Sequence, residues 1–185
     1  AGWSISSSEI RRNAGLRSTL RLNLFIVLMT LIAGCGFQLR GSYTLPYESL
    51  YLSMPEYSLI GAGLKRAIRA SGSTRLADTP ADAQAIFRPT VEEKLPIILS
   101  LSSAGRVREK RLRYRFGYRI VDSKGRDLVL PGMVELNRDL TYSDSDVLAK
   151  TQEEDLLWRD MENDLIQQLM RRLAAAKPDF PAPAE

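Results

Sequence analysis

Apolar residues recur with two different periods along this chain, and the alternation between those periods lays out its elements. Leu50 and Leu52 flank Tyr51 within residues 49–53, which predicts a short first strand. Ser58 then precedes Ile60, Leu64, Ala67 and Ile68, spaced for one face of a helix that Ser58 caps and Gly72 stops. Period two returns at residues 85–95, with Phe87, Val91 and Leu95 on one side and Arg88, Thr90, Glu92 and Lys94 on the other. Pro89 and Pro96 predict that this strand is an edge or is bulged. Residues 110–121 alternate most strictly: Leu112, Tyr114, Phe116, Tyr118 and Ile120 oppose Arg111, Arg113, Arg115 and Arg119. After the turn Asp122-Ser123-Lys124-Gly125, a strand over 128–142 turns Val134, Leu136, Leu140 and Tyr142 inward. A long helix over 145–176 carries Leu157, Met161, Leu165, Leu169 and Leu173 at every fourth position. The order strand, helix, three strands, helix predicts an α+β fold: a two-layer sandwich of a roughly four-stranded mixed sheet covered on one face by two helices. The Pro/Ala-rich tail, 178–185, is expected to be disordered.

The segment before this domain has a different character. Arg11, Arg12, Arg17 and Arg21 precede a short apolar stretch from Leu22 to Ala33, too short to span a bilayer comfortably. It ends in Ile32-Ala33-Gly34-Cys35, which resembles a lipobox. The resemblance implies removal of residues 1–34 as a signal peptide and covalent diacylglyceryl and N-acyl modification of Cys35. It also implies, with Gly36 following, delivery to the outer membrane. The plainer reading of the segment is a membrane anchor or buried helix with an ordinary Cys35.

Composition narrows the chemistry. The 185 residues contain one cysteine and no histidine, which excludes an intramolecular disulfide and removes the commonest general base and metal ligand. Of 26 basic and 22 acidic residues, the first 34 hold four and one, so the remaining domain is nearly neutral. An anionic ligand must therefore be recognised by local clustering. Arg106, Arg108, Lys110, Arg111, Arg113, Arg115 and Arg119 form such a run. For the central arginines the favoured reading is cross-strand pairing with Glu92, Glu135 and Asp139. Arg106, Arg108 and Lys110, at the loop end, suit an anion. The run Leu95-Pro96-Ile97-Ile98-Leu99-Ser100-Leu101 reads as the end of a core strand, or as a contact surface for a partner or acyl chain. Residues 146–154 read as a capped, solvated helix start.

Cys35-Gly36-Phe37-Gln38-Leu39-Arg40-Gly41, the element order, and Leu148-Ala149-Lys150 ahead of Gln152-Glu153-Glu154 together resemble the LptE family of LPS-assembly lipoproteins. The resemblance covers residue 35 to about residue 177, a lipid-anchored domain. It implies a non-enzymatic outer-membrane protein that binds lipopolysaccharide and plugs the LptD β-barrel, facing the periplasm and the barrel lumen. Lipopolysaccharide would then be placed in the outer leaflet. The family's basic residues match Arg106 and Lys150 here. No cofactor, catalytic residue or metal ligand is implied, and no nucleic-acid partner. The alternatives are a free-standing periplasmic lipoprotein that acts as a scaffold or binds peptidoglycan, and an enzyme using carboxylates such as Glu92 and Glu135.

Overall fold

The computed structural model describes residues 43–142 and 147–180. The candidate signal peptide and Cys35 lie outside the described residues. Along the chain run β1 (Ser49–Leu52), α1 (Leu59–Ser71), β2 (Arg75–Leu76), a 3-10 turn (Pro80–Asp82), β3 (Ala85–Leu101), β4 (Val107–Val121), β5 (Asp127–Thr141) and α2 (Val147–Ala175). One sheet has the order β2-β1-β3-β4-β5, with β1 parallel to both neighbours and the β3-β4-β5 meander antiparallel. The sheet therefore has five strands where about four were expected. The extra one, β2, is only two residues long and carries too little pattern to read.

Helix α1 forms where its caps dictate. The Gly61 N–H donates to Ser58 Oγ at 3.0 Å. Gly72 takes the left-handed conformation (φ 66°) that ends the helix with its N–H donating to the Arg69 carbonyl. Ile60, Leu64 and Ile68 of α1, together with Met161, Leu165, Leu169 and Leu173 of α2, close over Leu50, Phe87, Leu112, Tyr114, Phe116, Ile120 and Val134. That single apolar layer between sheet and helices is the core, and its burial is the main stabilising term.

Two features depart from the sequence pattern. Strand β3 extends to Leu101, six residues beyond expectation, so the apolar run at its end is strand but not core: Ile98, Leu99 and Leu101 are exposed. Within β3, Pro89 pairs with Tyr118 while Val91 pairs with Gly117, leaving Thr90 as the extra residue of a bulge. The bulge exchanges the faces beyond it. Glu92 and Lys94 oppose Phe116 and Tyr114 on the helix side, while Glu93 and Leu95 oppose Arg115 and Arg113 on the outer side. Glu92 is thus not among the partners of the arginine row; Glu93 takes that place. The same exchange puts Glu92 and Glu135 on opposite faces of the sheet, so they form no two-carboxylate cleft.

The tail corrects another expectation at its start. Asp179 N–H donates to the Leu128 carbonyl at 2.9 Å, and Phe180 meets Tyr47 edge-on at 6.3 Å. Residues 178–180 therefore pack against the domain through an aromatic contact that the Pro/Ala composition concealed. No helix among the described residues is long and apolar enough to cross a membrane.

Candidate functional site

The β3-β4 hairpin projects past the end of α1. At about 3.3 Å per residue, the 17 residues of β3 extend roughly 55 Å, whereas the 13 residues of α1 extend roughly 20 Å. The 29-residue α2, roughly 44 Å long, covers most of the sheet's length and starts at the hairpin end.

The hairpin turn is tight. Ser102 N–H donates to the Arg106 carbonyl at 2.7 Å, Arg106 N–H donates to Ser102 Oγ at 3.2 Å, and Gly105 takes a positive φ of 75°. Arg106 and Arg108 are exposed beside it. The Tyr142 N–H donates to the Arg108 carbonyl at 2.8 Å, tying the end of β5 to the same place.

Lys110 is placed differently from its neighbours in sequence. It continues the inward row of Leu112 and Tyr114, and its Nζ lies 2.7 Å from Glu154 Oε2 on α2. The same ammonium sits 4.9 Å from the centre of the Tyr142 ring, and Tyr142 OH donates to Glu154 Oε2 at 2.6 Å. Burial works against charge on all three groups. The bonds among them outweigh it for the ion pair, holding Lys110 above the ordinary lysine range and Glu154 below the ordinary carboxylate range. For Tyr142, burial and the bond to Glu154 both raise the phenol.

This triad docks the start of α2 on the hairpin. Lys150 lies one turn before Glu154, about 6 Å along the axis, and its Nζ pairs with Glu153 at 2.7 Å. Arg106, Arg108, Lys110 and Lys150 therefore share one end of the molecule, with Lys110 spent on the internal pair. The exposed apolar residues Ile98, Leu99 and Leu101 belong to the same end, and so does Leu148. The sequence did not reveal the role of Glu154. Its only signal was Lys110 at an inward position of β4, where a buried partner was required.

A second polar cluster lies further along the inner face. Lys94 Nζ is 2.5 Å from Glu162 Oε1 and sits over the rings of Tyr114 and Trp158 at 5.1 and 5.8 Å. Tyr114 OH donates to Glu92 at 2.8 Å. Among the described residues, no group of three His, Cys, Asp or Glu side chains could hold a metal ion.

The fold and this amphipathic end define a small α+β domain with two helices over one face of a mixed sheet. The model of the LptE lipopolysaccharide-assembly family matches residues 47–173, and the chain belongs to that family. It is 26% identical over 156 residues to the LPS-assembly lipoprotein LptE of Photorhabdus laumondii, covering 82% of this chain and 84% of that protein. Among solved structures it resembles a lipoprotein B from Nitrosomonas europaea (35% identity, TM-score 0.65, covering 76% of this chain and 91% of that one). It also resembles a minor lipoprotein from Acinetobacter baumannii (25% identity, TM-score 0.60, covering 75% and 99%). As a member of a lipopolysaccharide-assembly family the chain is not an enzyme.

Proposed function

We propose that this protein is an outer-membrane lipoprotein that binds lipopolysaccharide and serves as plug and assembly partner of the LptD β-barrel, delivering lipopolysaccharide to the outer leaflet. Residues 1–34 are removed in this reading, and acylated Cys35 holds the domain at the membrane, since several acyl chains together anchor firmly. The observation that carries the proposal is the convergence of Arg106, Arg108 and Lys150 at the end of the molecule that also exposes Ile98, Leu99, Leu101 and Leu148. Cations beside apolar side chains suit a phosphorylated, acylated glycolipid. Lys110 acts there by holding α2 against the hairpin through Glu154.

The test is a double charge reversal, Arg106→Asp with Lys150→Asp. Lipopolysaccharide binding should fall at least about tenfold and lose much of its salt dependence. The melting temperature should hardly move, because surface charges and short-range surface ion pairs such as Lys150–Glu153 contribute little to folding. Recovery of LptD with the tagged chain should persist. Unchanged lipopolysaccharide binding would remove the basic end from the proposal. A wild-type chain that leaves the membrane without the barrel would instead favour a free-standing envelope lipoprotein.

A further inference from the structure

Donors from three separate parts of the chain converge on one carboxylate at the hairpin end. Lys110 Nζ on β4 and Tyr142 OH, just past β5, reach the same oxygen of Glu154, Oε2, at 2.7 and 2.6 Å. The indole N–H of Trp158, one turn further along α2, is the third. Burial opposes the charge of Glu154, and Lys110, Tyr142 and Trp158 together outweigh it. A cation and two neutral donors gathered around one point make an anion site. Its occupant is a side chain of the protein itself.

That occupant can leave. Glu154 lies in the stretch of α2, residues 148–160, that is exposed or half-buried throughout, and burial begins at Met161. The pair is open to solvent, with 21% of the Lys110 side chain and 19% of the Glu154 side chain accessible. Rotation about the side-chain bonds of Glu154 alone swings its carboxylate outward, with no change in the helix. An empty cradle would strand its donors, so Glu154 stays until another anion takes its place. Arg108, exposed two residues nearer the turn on the same strand, adds positive charge beside the cradle.

We propose that this cradle is a phosphate subsite of the lipopolysaccharide-binding end, held closed by Glu154 as a built-in competitor until a phosphomonoester displaces it. The proposal rests on the lipopolysaccharide-binding reading above and deepens it, naming a subsite and a rule of selection. A phosphomonoester carries about −1.5 to −2 charges at neutral pH and three acceptor oxygens, so it offers Lys110, Tyr142 and Trp158 an oxygen each and more charge than the carboxylate it replaces. A phosphodiester has a single charge and gains nothing over Glu154. The gate therefore favours a glycolipid with monoester phosphates over phosphodiester lipids of the same membrane.

The experiment compares the full chain, purified in detergent, with Glu154→Gln, which keeps an acceptor for Tyr142 but removes the competing charge. Lipopolysaccharide with its monoester phosphates should bind the variant about tenfold more tightly, as expected when a largely closed site is opened. Phosphatidylglycerol vesicles, bound weakly by wild type, should be retained by the variant. Adding Lys110→Met to Glu154→Gln should abolish both gains. In the wild-type chain, the Trp158 indole N–H resonance should shift on titration with lipopolysaccharide, and much less with inorganic phosphate or dephosphorylated lipopolysaccharide. Lipopolysaccharide binding by Glu154→Gln no tighter than wild type, or a Trp158 resonance unmoved at saturation, would overturn the proposal. Full response to inorganic phosphate alone would overturn the assignment to a lipid. A wild-type chain that binds no lipopolysaccharide would instead overturn the reading on which the proposal rests.

Discussion

Gly132 shows how much a single missing side chain can matter. It pairs across the sheet with Tyr118, whose ring stacks on Phe87 at 5.2 Å and is nearly fully buried. A Cβ at position 132 would come within 2.4–2.6 Å of that ring and its hydroxyl. The ring is held by the stack and cannot retreat cheaply. Gly132→Ala should therefore cost about 1–3 kcal/mol by overpacking, visible as a melting temperature lower by several degrees. Asp122 illustrates the electrostatic counterpart. Burial opposes its charge, yet its carboxylate accepts the N–H groups of Lys124 and Arg126 at 2.9 Å and the Arg126 guanidinium at 2.7 Å. These donors outweigh burial and hold the pKa below the ordinary aspartate value. A carboxyl depressed on folding adds stability above its unfolded pKa, and that stability is lost as pH falls through the folded value. Asp122→Asn should remove this component, so melting curves taken from neutral pH to below about pH 4 should slope less steeply for the variant.

Strand β3 is the element on which the sheet's irregularities concentrate. It pairs with β1 only through Ala85, Ile86 and Phe87; from Arg88 onward, no described strand lies on that side. An open edge of this length invites pairing with another chain. Pro89 and Pro96 fall within it, and a proline keeps its place in a ladder by turning its nitrogen to the unpaired side, where it offers no donor. Pro96→Val would restore a donor on the open edge. It should give concentration-dependent association in sedimentation or light scattering, with the monomer fold retained. The prolines correctly implied an edge or a bulge, and here β3 has both. What the residues could not tell was where the bulge lay. A single extra residue at Thr90 reverses the side chains from Val91 to Ile98, so the alternation of 85–95 looked regular while its faces were exchanged. The strands of the meander were readable because each buries one face. Helix α1 was readable because Ser58 and Gly72 mark its ends. Strand β2, two residues held by β1, carries no period of its own.

At the scale of the whole molecule, local charge clustering located the basic end, and the fold brought Lys150 to it across more than forty residues of sequence through the docking of α2 on β4. The internal use of Lys110 was not legible, because it depends on Glu154 arriving from another element. Nor was the placement of Arg113 opposite Leu95 and Asn137, since an arginine row looks the same in sequence whether or not each member finds a carboxylate. The mismatch in length between α1 and β3 has one more consequence. Near Phe87 the sheet is sandwiched and its residues are fully buried; towards Leu101 β3 is half-exposed, and ionic contacts such as Lys94–Glu162 and Lys110–Glu154 hold α2 against the sheet. Local opening should therefore become easier along β3 from root to tip. Amide hydrogen exchange read residue by residue should show protection declining from Phe87 towards Leu101. Added salt should hasten exchange in the outer half while leaving the root unaltered. A molecule graded in this way can breathe at the end proposed to meet lipopolysaccharide while its root keeps the fold intact.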